Sequence, residues 1–111
     1  VVNSSKKKGD RAELEVQGIL RDLLGVPARR ALGAGRRDDI GDITGVPDTV
    51  IQVSNKQARF YESIREKPLE AERQRINADV QFAATFQRLR GGSWRVVMTP
   101  EQWAAMWREA V

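Results

Sequence analysis

Apolar residues recur at helical spacing early in the chain, where Ala12, Val16, Ile19, Leu20, Leu23 and Leu24 fall on one stripe. This predicts a first helix capped by Asp10 and ended by Gly25 and Pro27. Ala28 to Leu32 reads as a short strand and Gly33 to Arg37 as a glycine–arginine turn. The period then changes. Asp39 to Thr44 and Thr49 to Asn55 read as two strands joined by Gly45-Val46-Pro47-Asp48, and Val50, Ile51 and Val53 suit a pleated, half-buried surface. Lys56 to Lys67 is ambiguous between loop and helical turn, and Pro68 fits the first turn of a second helix reaching Ala78. Val80 to Leu89 alternates, with Val80, Phe82, Ala84 and Phe86 on one face. Arg90-Gly91-Gly92-Ser93 turns the chain into a partner strand, Trp94 to Met98. Thr99-Pro100-Glu101-Gln102 is a helix start, and the helix it opens carries Trp103, Met106 and Trp107, residues suited to a core or to a dimer contact. The order α, three β, α, two β, α predicts an α/β fold with a mixed central sheet of four to five strands flanked by helices.

Length and composition narrow the chemistry. The 111 residues suit one domain, expected over 10–111 behind a flexible basic arm over 1–9. A chain this small gains from a partner subunit. Cysteine is absent, which removes disulfides and thiol chemistry and fits a cytoplasmic setting. Neither a membrane-length apolar run nor a signal-peptide pattern is expected, since Lys6, Lys7 and Lys8 lack the apolar segment that would follow in one. Histidine is absent too, so catalysis would run on carboxylates, lysine, amides, hydroxyls and a metal held by oxygen. Nineteen basic residues against fifteen acidic ones give a net charge of +4, which favours a polyanionic partner such as DNA.

Phosphodiester cleavage by a hard cation needs oxygen ligands converging on one point, with a lysine nearby to orient water or stabilise charge. An acid on one strand and polar side chains at i, i+2 on its neighbour would supply them from one face. Asp42, in Gly41-Asp42-Ile43, is the candidate acid. Gln52, Ser54 and Lys56 follow at the required spacing, and Glu13 on the first helix is a further candidate, although its place three residues after Asp10 is also a capping arrangement. Asp38 and Asp39 stand close to Asp42 and fit strand capping better than ligation. Arg29, Arg30, Arg36 and Arg37 flank the expected cleft as candidate phosphate contacts, with Lys7 and Lys8 of the arm adding salt-sensitive attraction.

At these residues the chain resembles the PD-(D/E)xK nuclease superfamily, and within it the archaeal-type Holliday junction resolvases and their short phage-encoded relatives. Lys8-Gly9-Asp10-Arg11-Ala12-Glu13 is similar to the family's helix start, whose Glu is catalytic. Gly33-Ala34-Gly35 followed by Gly41-Asp42-Ile43 resembles its glycine-containing loop and metal-binding strand. Ile51-Gln52-Val53-Ser54-Asn55 stands where the family reads Glu-x-Lys-Asn, and Val96 to Trp103 is similar to the tail of the phage proteins. The resemblance implies a restriction-endonuclease-like fold and a homodimer cutting DNA, branched DNA included. It implies Mg²⁺ or Mn²⁺ held by Asp42, Gln52 and the Val53 carbonyl and supported by Glu13. The chain departs from the family at Gln52, which carries no charge, and at Ser54, which cannot replace an ammonium; Lys56 is the candidate substitute. Two readings stay open: an active endonuclease using Gln52 and Lys56, or a weakened relative that binds DNA without cutting it. A protein-interaction domain whose charges are only a surface is the third.

Overall fold

The computed structural model describes residues 4–31 and 40–111, with side chains from Lys8 onward. Among these described residues eight elements follow in the order α1 (Ser4–Leu24), β1 (Arg29–Arg30), β2 (Ile43–Thr44), β3 (Thr49–Ser54), α2 (Phe60–Ala78), β4 (Phe82–Arg88), β5 (Trp94–Val97) and α3 (Pro100–Ala110). The five strands form one sheet in chain order. β1–β2, β2–β3 and β4–β5 are antiparallel, and β3–β4 are parallel with α2 as their crossover. The fold is therefore α/β with a mixed sheet flanked by helices, as the order of elements predicts.

Helices cover both faces of the sheet. Val16 and Leu20 of α1 pack with Ala28, Ile43, Ile51, Ala84 and Phe86 on one face, and Ala71 of α2 packs with Val50 and Ala83 on the other. The central strands β3 and β4 are consequently buried on both sides, as parallel strands usually are. Ala84 and Phe86 share the α1 face, whereas Val80 precedes the strand and packs on the α2 side instead of joining them. Ile43 is 1% exposed at the centre of the larger core and Leu23 is 78% exposed at the end of α1. Ile43→Val is expected to cost about 0.5–1.5 kcal/mol. Leu23→Ala should stay within about 0.5 kcal/mol of wild type. Denaturant unfolding of the two variants measures this contrast.

Several boundaries move. α1 begins at Ser4, so residues 4–9 are helical and not a loose arm, and Asp10 lies inside the helix, not at its cap. Lysine is a good helix former, and the run Lys6 to Lys8 extends the helix through Gly9. Leu23 and Leu24 are exposed and do not continue the buried stripe. α2 starts at Phe60, with Pro68 buried in its interior and not at its first turn. No side chain caps its start at Arg59, so the sequence carries no capping signal there. Pro68 removes one helical N–H, at a cost that packing against the sheet and the ion pairs Lys67–Glu70 and Glu72–Arg75 help offset. At α3, Thr99 accepts from the Gln102 N–H at 3.1 Å and Pro100 takes the first turn, as predicted. Trp94 packs against the larger core, but Trp103 and Trp107 are 59% and 54% exposed and belong to no core. The turn over Gly33 to Arg37, and Leu32, Asp38 and Asp39, lie outside the described residues.

Candidate functional site

Three stripes of α1 do different work. Ala12, Val16 and Leu20 face the core. Asp10, Glu13 and Gln17, three and four apart, face β1. Glu15 accepts from the Trp94 indole N–H at 3.2 Å and pairs with Arg88 at 3.6 Å, which ties α1 to the far edge of the sheet. On the β1 side, the Arg30 N–H donates to Gln17 at 2.9 Å, and the Arg30 guanidinium forks between Glu13 Oε1 at 3.1 Å and Asp10 Oδ1 at 2.6 Å. Arg30 is thus engaged by two carboxylates and is not a free phosphate contact.

Asp42 immediately precedes β2. Its backbone N–H donates to Ile51 at 2.8 Å and its carbonyl accepts from Ala31 at 2.9 Å. Its Oδ2 accepts from the Val53 N–H at 2.8 Å, which pins the carboxylate to β3. Gly41 allows this approach: its φ is +98°, and a Cβ there would stand 2.8 Å from the Ile51 carbonyl. Asp42 also acts through space on Glu13. Burial and the Asp42 charge push the Glu13 carboxyl above the ordinary glutamate range, with the Asp10 charge adding to them, against an opposing pull from Arg30. A carboxyl titrating higher when folded contributes stability at low pH that is lost as pH rises through its folded pKa. The stability advantage of Glu13→Gln over wild type should therefore be greater at about pH 7 than at about pH 4. Paired denaturation curves at the two values test this, and an advantage that shrinks with rising pH would contradict it.

Gln52 faces away from α1, the helix that carries Glu13, and Lys56 follows the end of the strand. Alternation along β3 turns Ile51 and Val53 toward α1 and Val50, Gln52 and Ser54 toward α2, where Gln52 and Ser54 are each 3% exposed. Ser54 joins a buried chain: its Oγ is 2.7 Å from Ser63 Oγ, and Ser63 donates to Gln87 Oε1 at 2.9 Å. A lysine at position 54 would bring its side chain up against these groups. Lys56, past the strand, is exposed, and its N–H approaches Ser54 Oγ at 3.5 Å.

Lys56 lines a cleft of about 710 Å³ between the start of α1 and the exit of β3. Lys8, Lys56, Arg59, Lys67 and Arg90 supply its charge, Gly9, Val53 and Asn55 form part of its wall, and no carboxylate is among its described lining residues. Val53 belongs to both features, lining the cleft while its N–H holds Asp42. The acid pair and the cationic cleft are therefore neighbours. Arg59, Lys67 and Arg90 escaped sequence reasoning because only the crossover through α2 and the β4–β5 turn bring them together. Arg29 is exposed on β1, Lys7 is described by its backbone alone, and Arg36 and Arg37 lie outside the described residues.

A divalent cation can be tested against these groups. Glu13 and Asp42 are hard oxygen donors whose mutual repulsion a cation would relieve, so they fit Mg²⁺ or Mn²⁺ in kind. Among the described residues no group of three or more His, Cys, Asp or Glu could hold a metal, so water and phosphate would complete the coordination. Comparison with known proteins adds no relative: no family model, no curated protein and no solved structure matches the chain. No helix among the described residues is long and apolar enough to cross a membrane.

Proposed function

We propose that this chain is a metal-dependent DNA endonuclease that grips phosphates in the cationic cleft and cleaves beside it at Glu13 and Asp42. The observation that carries this reading is the adjacency of a carboxylate pair, one member titrating high, to a cleft walled by five cations. Glu13 and Asp42 would hold Mg²⁺ or Mn²⁺, which when bound supplies Lewis acidity at the scissile phosphate and a more acidic water. The Val53 N–H fixes Asp42, and Gln52, buried on the α2 face, stays outside the pair. Lys8, Lys56 and Arg90 bind backbone phosphates, and Lys56 stands nearest the end of β3 to offset charge developing there. Such contacts position DNA without reading its sequence, which suits a preference for DNA shape, branched junctions included. A homodimer would place two such sites across one junction. Incubation with linear and four-way branched DNA in Mn²⁺ should give nicks, with none in excess chelator.

A second reading has its own support. Arg30 engages Glu13, and neither Gln52 nor Ser54 offers a charge. A chain that binds both DNA substrates and nicks neither would be a DNA-binding module that keeps the nuclease fold without its chemistry.

A further inference from the structure

Arg30 is not among the described residues lining the cleft, and its side chain is engaged by acids. Its Nη2 is 2.6 Å from Asp10, its Nε is 3.1 Å from Glu13, and its side chain is 25% exposed. β1 holds its backbone in place: Arg30 pairs with Ile43 of β2, and its N–H is bonded to Gln17. A change of partner by Arg30 would therefore be made by its side chain and not by its backbone. Glu13 answers both to Arg30 and, through space, to Asp42. A divalent cation shared by Glu13 and Asp42 would compete with Arg30 for the Glu13 carboxylate and would stand close to a like charge.

A phosphate offers the same bidentate geometry as a carboxylate. Asp10, which holds the outer end of Arg30, is the residue after Gly9, and Gly9 lines the cleft, so the fork begins one residue beyond the cleft wall. We propose that Arg30 is a resident cation occupying Glu13 in place of a metal, so that Glu13 and Asp42 take up a divalent ion tightly only when Arg30 is drawn onto a DNA phosphate. This rests on the metal-dependent reading above. It adds that metal and DNA bind cooperatively and that Arg30 carries the coupling. Coupling of this kind is reciprocal: whatever factor DNA contributes to metal affinity, metal contributes to DNA affinity.

The test is Mn²⁺ binding to the full chain, read from the electron paramagnetic resonance signal of free Mn²⁺, with and without a four-way DNA junction. Wild type should bind Mn²⁺ about tenfold more tightly when the junction is present. Arg30→Gln should bind it about tenfold more tightly than wild type without DNA and gain little from the junction. Arg30→Lys keeps the charge but cannot fork between two acids, so its DNA-free affinity should fall between the two; circular dichroism confirms that each variant is folded. Asp42→Asn should abolish the tight site in every background. If wild type and Arg30→Gln bind Mn²⁺ equally without DNA, both losing it with Asp42→Asn, the metal site stands and the role of Arg30 is refuted. If no variant binds Mn²⁺ with or without DNA, the coupling and the endonuclease reading fall together.

Discussion

Asp42→Ala is expected to reduce Mn²⁺-dependent nicking by about 10²–10³-fold, the loss that follows removal of one preorganised charge-stabilising group. It should also destabilise the fold, because the Val53 N–H loses its 2.8 Å acceptor in a partly buried place. An orphaned donor of this kind costs about 1–3 kcal/mol. Asp42→Asn separates the two effects. Its carboxamide oxygen can still accept from Val53, so most of the stability should return, while the charge and the nicking stay lost. Asn at this position would also remove the repulsion on Glu13, whose carboxyl should then titrate nearer the ordinary glutamate range in a carbon-detected NMR titration. Nicking by Asp42→Asn at the wild-type rate would remove Asp42 from the chemistry altogether.

How far such a site can be read from sequence depends on which interactions build it. The element order and the position of β3 are written in local periodicity: β-branched Val50, Ile51 and Val53 mark a strand, and the Thr99-Pro100 start of α3 marks a cap. Asp42 stands out because an acid beside a buried strand needs a reason, and the structure supplies one in the Val53 N–H. The face of β3 does not follow from alternation alone. Gln52, Ser54 and Lys56 share a period, but which face meets α1 depends on packing, and Val50 goes to α2 with Gln52 and Ser54 behind it. A buried floor of Gln52, Ser54, Thr85 and Gln87 looks from sequence like an exposed polar face, because residue polarity alone cannot separate a polar group in the interior from one in water. Arg30 illustrates the same limit for charge. Its neighbours in sequence suggest a basic surface, whereas its partners Asp10 and Glu13 arrive from a helix twenty and seventeen residues earlier.

Reversing charge at two cleft positions should have the largest effect on DNA affinity. Lys56 and Arg90 are exposed, and neither forms an ion pair among the described residues, whereas Arg59 and Lys67 are partly neutralised by Glu62 and Glu70. Lys56→Glu with Arg90→Glu changes the charge facing a strand by four units. It should weaken binding by at least about 100-fold at low salt, since a phosphate that is no longer neutralised by the protein also keeps its condensed counterion. The neutral pair Lys56→Gln with Arg90→Gln should flatten the dependence of log affinity on log salt by about one unit per residue. Both positions are solvated, so unfolding free energies should stay within about 0.5 kcal/mol of wild type. Arg108→Glu with Arg73→Glu, both exposed and outside the cleft lining, changes net charge by the same four units; this Arg108 control should shift affinity only slightly. Fluorescence anisotropy across a salt series distinguishes these outcomes. If the Arg108 control weakens binding as much as the cleft pair, attraction follows overall charge and no path for DNA past Asp42 exists. A loss confined to the cleft pair places the phosphates beside Val53, the residue whose N–H holds the acid.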